Sequence, residues 1–407
     1  MTHVGVAVIG GGAAGVAALR TLTDAGNDAL LLEAKDRLGG RAHTVWTRGF
    51  PLDLGAGWLH SAEHNPWVTI AEAEGFTVDR TLPRWREQWR DLGFTPEQQK
   101  AAGQAYAAFD RRMREEPPAS DRAADALEPG CEWNGYLDAI SGYINGVGNG
   151  EVSIADYLAY DDAATETDWR VAEGYGSLIA RHAAGARVAL GTPVTRISGN
   201  AKVLQIDTPR GSLTADAAIV TVSTNVLATG TIGFDPRFDD ILHAAACLPL
   251  GLADKFFLAV DRAEELEPNS HLLGNPRSPV TATYTLRPVG HPVIEAMFGG
   301  EGAEAMEAAG LNGAAAFAID ELCALLGNDW RPRLRLVAGS AWGKDPHILG
   351  SYSHALPGQA AMRRVLTTPV DERIRFAGEA CSPTEFSTAH GAYKTGVDAA
   401  LALISTN

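Results

Sequence analysis

The apolar positions at the start of the chain change rhythm within a few residues. Val4 to Ile9 is a short β-branched and small apolar run, the pattern of a strand buried on both faces, and Ala13 to Ala25 is rich in helix formers. Between them Gly10, Gly12 and Gly15 stand in the spacing Gly-x-Gly-x-x-Gly, so a strand, a glycine turn and a helix are predicted in that order. Asp28 to Ala34 (DALLLEA) predicts a second buried strand ending in Glu33. Further on, Thr95-Pro96-Glu97-Gln98 supplies an N-cap, a proline at the first helical position and a capping-box glutamine. Ala102, Tyr106, Phe109 and Met113 then form one helical stripe. Residues 116–130 (EPPASDRAADALEPG) read as a polar connection, and Ser387-Thr388 precede AHGAYKTGVDAALALI, whose small residues suit a closely packed helix. Alternating strand and helix patterns predict an α/β protein.

That order gives the glycines a chemistry. The helix N-terminus after Gly12 and Gly15 meets a pyrophosphate, and Glu33, 18 residues beyond Gly15, is placed to accept hydrogen bonds from a ribose. An adenine dinucleotide with a free 2′-hydroxyl is expected. Three glycines in a loop can also serve a tight turn alone, but the two strands and the acid favour the ligand.

Composition narrows the classes. The 407 residues, 45% hydrophobic and 21% charged, allow two or three packed units of ordinary globular type. No stretch is read as the roughly 18 to 20 consecutive apolar residues of a membrane span, and the glycine loop lies too near Met1 for a signal peptide. A cytoplasmic protein with no membrane partner is expected. Cys131, Cys247, Cys323 and Cys381 are scattered without a Cys-x-x-Cys pair, which suggests reduced thiols and neither a disulfide framework nor a metal site. The net charge of −16 argues against a nucleic-acid surface and is compatible with a cationic ligand.

Directly after Glu33 comes AKDRLGGRAHTVW, whose Gly39-Gly40-Arg41 a simple NAD fold does not explain. With DLGAGWLHS (53–61), this run resembles the flavin-containing amine oxidase superfamily. The resemblance continues through TPVTRI (192–197), AAIVTVS (217–223), LADKFFLAV (252–260), SAWGKDPHILGSYS (340–353) and RIRFAGEACSPTEFSTAHGAYKTGVDAA (373–400), in the family's order. It implies a Rossmann-like FAD-binding domain of discontinuous segments, 1–80, 174–235 and 345–407, with an α+β substrate-binding domain at 81–173 and 236–344. It places Ala14, Ala34, Gly40, Arg41, Gly57, Trp58, Val194, Trp342, Gly378, Glu379, Thr388 and Ala389 at the cofactor beside Gly10, Gly12, Gly15 and Glu33. Ser351 falls where covalent monoamine oxidases carry the flavin-linked cysteine, so the FAD is expected to be non-covalent.

Lys255 is the catalytic candidate. It sits at the start of the apolar strand FFLAV, and the family's lysine there holds a water against flavin N5; a lysine snorkelling from a strand end is the other reading. For the substrate, the resemblance gives Tyr352 as an aromatic wall beside the flavin, with Thr388 where monoamine oxidases place the opposite aromatic. Trp58 joins the apolar wall, and His60 resembles a histidine near the substrate channel of several polyamine oxidases. His390 has no role beyond packing. The acid run Asp156, Asp161, Asp162, Glu166 and Asp168 is either a solvated face or a cation-attracting channel mouth.

The family reaction transfers a hydride equivalent from the carbon beside an amine nitrogen to flavin N5. Water hydrolyses the imine to an aldehyde, and oxygen reoxidises the flavin to give hydrogen peroxide. The partners expected are therefore a small-molecule amine, best read as a polyamine, and O2. Two other readings stay open: an amino-acid oxidase or desaturase of the same fold, for which Arg84, Arg86 and Arg90 offer candidate carboxylate clamps, and a non-catalytic FAD-binding scaffold.

Overall fold

A computed structural model describes residues 2–199 and 203–405. Its first sheet has seven strands. Val188–Ala189, Ala29–Leu32, Thr2–Ile9 and Gly211–Val220 lie side by side in parallel, and the last of these carries two neighbours on its far edge. Its first half pairs antiparallel with Leu204–Thr208, which pairs on with Arg196–Gly199, while its second half pairs parallel with Ile374–Phe376. The parallel strands are continuous apolar runs because helices cover both faces. The helix Ala13–Asp24 packs beneath them against the helix Ala389–Ile404, and Gly396 lets the two backbones approach: a Cβ there would lie 2.1 Å from the Ala14 carbonyl oxygen.

The second sheet is antiparallel, in the order Ser270–Leu273, Thr283–Leu286, Val293–Gly299, Ala253–Val260 and Leu334–Gly339. Phe256, Leu258 and Phe298 point to one side, where Ala303, Met306, Ala314, Ala318 and Leu322 of the helix Glu301–Leu326 close the core. The strand period of two then sends Lys255, Glu295, Met297, Thr283 and Thr285 to the other face. Three further helices, Pro96–Glu115, Asn134–Asn145 and Ile154–Asp161, pack around Phe109, Met113, Leu137 and Tyr157. The first of them carries the full Thr95 capping box.

One sequence expectation is corrected. The helix Glu301–Leu326, in which an 18-residue stretch reaches a mean hydropathy of 1.4, is long and apolar enough by length and composition to cross a membrane. Alanines and a few acids hid it from a search for unbroken apolar residues. Its backbone turns at Gly310 (φ 71°, ψ 170°), so residues 301–309 and 311–326 are separate helical pieces, and the buried face of both packs on the second sheet.

Candidate active site

A continuous cavity of about 1190 Å³ runs between the two sheets and the three helices. Its first end is the glycine turn. Gly10 sits at φ 105°, open to glycine alone among ordinary residues, and a Cβ on Gly15 would lie 1.9 Å from the Gly10 carbonyl oxygen. Gly15 thus seats the helix on the loop and does not line the cavity, whereas Gly10, Gly12 and Ala14 do. The helix Ala13–Asp24 has no side-chain cap, leaving its first N–H groups turned to the cavity without a protein partner of that kind.

The other groups expected at a dinucleotide gather here. Glu33 is buried, accepting from the Gly11 and Lys35 N–H groups, and Ala34 lies beside it on the wall. Arg41 reaches over Gly40 and donates through Nη1 to Glu379 (2.7 Å) and the Ser351 carbonyl (2.8 Å). Val194 lines the cavity with neither its N–H nor its C=O bonded among the described residues, which leaves both for an adenine edge. Gly57, Trp58, Trp342, Gly378, Thr388 and Ala389 also line it. A bare Cα at Gly12, open helix N–H groups and a buried carboxylate with no direct ion pair among the described residues fit a dinucleotide's pyrophosphate and ribose.

Glu379 lines the cavity as well, and it is tied into the wall by protein partners. Its oxygens accept from Arg41, from Ser353 Oγ (2.6 Å) and from the Ser387 N–H (2.9 Å). Burial pushes its carboxyl up, but Arg41 and Ser353 outweigh that and hold it below the usual range. Its contacts thus orient Arg41 and anchor Ser387, whose φ of 62° turns the chain into Thr388. Thr388 caps the last helix by accepting the Gly391 N–H (3.0 Å), so that helix N-terminus faces the cavity.

The far end is aromatic. Tyr106, Tyr136, Tyr143, Tyr157 and Tyr160 from the three helices join Tyr352, whose hydroxyl donates to the Tyr143 carbonyl. Trp58 meets Trp85 edge-on at 4.9 Å, and His60 Nδ1 lies 2.7 Å from Asp168. On the sheet face between the ends, Lys255 Nζ stands 2.8 Å from Glu295 Oε1, and Arg170 Nη1 is 2.9 Å from Glu295 Oε2. A Cβ added to Gly57 would come within 3.1 Å of Nζ. Burial pushes the Glu295 carboxyl up, but Arg170 and Lys255 more than reverse that and hold it at about 2. Lys255 is therefore a buried cation on the cavity wall and does not snorkel from a strand end: its side chain is 7% exposed.

The acid run is not one surface, which corrects the reading of it as either a solvated face or a channel mouth. Asp156 is buried in a two-bond pair with Arg363, and Asp161 and Asp162 both bind Arg114. Glu166 meets Arg86 at the surface. Only Asp161 and Asp168 of the five line the cavity. Among the arginines considered as carboxylate clamps, Arg84 pairs with Glu267 and Arg90 covers Trp89; Arg86 alone lies on the cavity wall. His390 is buried off the cavity, and burial, its largest influence, holds its imidazole down at about 3. Sequence reasoning missed Glu295, Arg170 and the tyrosines of the three helices.

The chain matches the family described as flavin containing amine oxidoreductase over residues 13–404. It is 30% identical to Polyamine oxidase 2 of Arabidopsis thaliana across 97% of this chain and 87% of that protein, and 31% identical to Polyamine oxidase 3 of Oryza sativa subsp. japonica with the same coverage. A solved structure of wild-type putrescine oxidase bound to putrescine superposes with a TM-score of 0.79 at 20% identity, covering 99% of each chain. The chain belongs to the flavin-containing amine oxidoreductase family. It is an FAD-dependent amine oxidase.

Attachment of the cofactor is directly testable. Ser351 Oγ is engaged with the Ala253 N–H (2.8 Å) and carbonyl (2.9 Å), and a serine offers no thioether. Acid precipitation of the yellow protein is expected to leave all the flavin in the supernatant; colour retained in the washed pellet would contradict non-covalent binding.

Proposed function

We propose that the enzyme oxidises a polyamine, spermidine or spermine, at the carbon beside one of its nitrogens, with O2 as electron acceptor. The observation that carries this reading is the continuity of the cavity from the glycine turn, past Lys255, to the tyrosine-lined end. The named polyamine oxidases among its relatives support it. A flavin held by the glycine turn, Glu33 and Arg41 would supply the two-electron acceptor for a hydride equivalent from that carbon, with O2 reoxidising it to give hydrogen peroxide. Water hydrolyses the product imine to an aldehyde.

The protein's share is to present the amine in the right state. An aliphatic amine resembles lysine, with a pKa of about 10.4, and its protonated form has no lone pair to expel hydride. Aromatic walls at Trp58 and Tyr352 favour the neutral nitrogen by desolvation. A polyamine keeps further ammonium groups, which tyrosine faces attract through their π-systems, and Asp168 beside His60 adds a carboxylate. Lys255, projecting from the sheet face, holds a water at the reacting centre and assists proton or oxygen chemistry there.

The expected result is a higher kcat/KM for spermidine or spermine than for benzylamine, with the preference shrinking as salt rises, because charge steering is screened over a Debye length of about 8 to 10 Å. Asp168→Asn should raise KM for the polyamine more than it lowers kcat. Benzylamine turned over as well, with no salt dependence, would sink the polyamine reading and leave the amine oxidase assignment standing.

A further inference from the structure

We infer that Glu295 is a positioning residue: pinned by Arg170, it fixes the Lys255 ammonium at the cavity wall. The inference rests on the proposed role of Lys255 at the reacting centre.

Glu295 lies in the middle of an apolar strand, Val293–Gly299, where an acid has no packing reason to be. Strand register pairs Lys255 with Met297 and Phe257 with Glu295, so lysine and glutamate are diagonal neighbours on the cavity face. A lysine side chain is rich in rotamers, and one ammonium on a flexible stem does not hold a fixed point unaided. The 2.8 Å contact to a carboxylate on a rigid sheet supplies that point.

The second cation says more. Lys255 alone would neutralise the carboxylate, yet Arg170 is also brought to it from the short strand Arg170–Val171, with its side chain 10% exposed. The Arg170 guanidinium lies 3.9 Å from the centre of the Trp58 ring, and its buried Nε and Nη2 have no hydrogen-bond partner among the described residues. Leaving those groups unpaired is costly, so a compensating use is implied. Arg170 holds the carboxylate from its far side, so Glu295 presents Lys255 with an oxygen at a fixed position. Trp58, Arg170, Glu295 and Lys255 thus form one connected chain from the substrate wall to the reacting centre.

The test uses the holoenzyme and four variants: Glu295→Gln, Lys255→Met, both together, and Arg170→Met with Glu295→Gln. Glu295→Gln should lower kcat by roughly 10- to 100-fold, the scale of a displaced catalytic group, with KM within about twofold. Removal of a buried negative charge should also move the flavin midpoint potential in the positive direction. Added to Lys255→Met, the same change should cause no further loss of kcat, because its route through the lysine is gone. Arg170→Met with Glu295→Gln, which removes the cation left unpaired, should recover thermal stability without recovering kcat. Losses that multiply in the double variant, or an unmoved potential, overturn the positioning role. Slow Lys255→Met with fast Glu295→Gln overturns it while sparing the lysine; Lys255→Met at the wild-type rate overturns both.

Discussion

Lys255→Met is expected to bind FAD as the wild type does and to slow flavin turnover by one or more orders of magnitude, the range typical of a positioned proton-transfer group. Retention of the cofactor follows from geometry. Nζ contacts Glu295 and approaches Gly57, while the pyrophosphate and ribose groups belong to the glycine turn, Glu33 and Arg41. Stability should survive as well, since Arg170 still neutralises Glu295 and methionine fills the volume of the lysine stem. Stopped-flow absorbance separates flavin reduction by amine from reoxidation by oxygen; wild-type rates in both half-reactions would remove Lys255 from the mechanism.

Asp156→Ala should have the largest effect on stability. Asp156 meets Arg363 through both oxygens, at 2.6 and 2.8 Å, and the two side chains are 4% and 1% exposed. Removing one partner of such a pair leaves a buried, uncompensated charge and costs about 3–5 kcal/mol. Arg363 also donates to Ser353 Oγ, which donates to Glu379, so the loss should reach the cofactor wall and weaken FAD retention. Denaturant unfolding of the apo and FAD-loaded variant measures both. If Asp156 were instead a steering acid at a channel mouth, stability would hold and KM for the polyamine would rise.

The contrast between these two residues shows what the sequence discloses. The glycine turn, the two flanking strands and the Thr95 cap obey rules that act within a few residues, and they are legible. Lys255 stood out as a cation in an apolar strand. Glu295 carried the same signal in VIEAMFG, but its partners come from a neighbouring strand and from Arg170, and no local spacing pairs them. Asp156 was misread for a related reason. Successive residues of the helix Ile154–Asp161 point about 100° apart, so Asp156 turns inward to Arg363 while Asp161 and Asp162 reach Arg114. The tyrosine-lined end is divided among three helices and became a single wall only through their packing.

The seven-stranded sheet has a consequence for how the protein is made. Its central strand, Gly211–Val220, stays half-paired along one edge until Ile374–Phe376 arrives, and the helix over the glycine turn lacks its companion until residue 404 has been synthesised. Arg41 likewise waits for Glu379. Because such distant pairings must pay loop-closure entropy before any contact rewards them, the nascent chain carries an exposed apolar strand edge from the time residue 220 is made until residue 376 follows. A cofactor arriving early finds only half of its cradle. Chaperone capture before residues 374–404 emerge, and flavin supply once they have, rather than the strength of the finished core, should therefore set the yield of active enzyme in a cell.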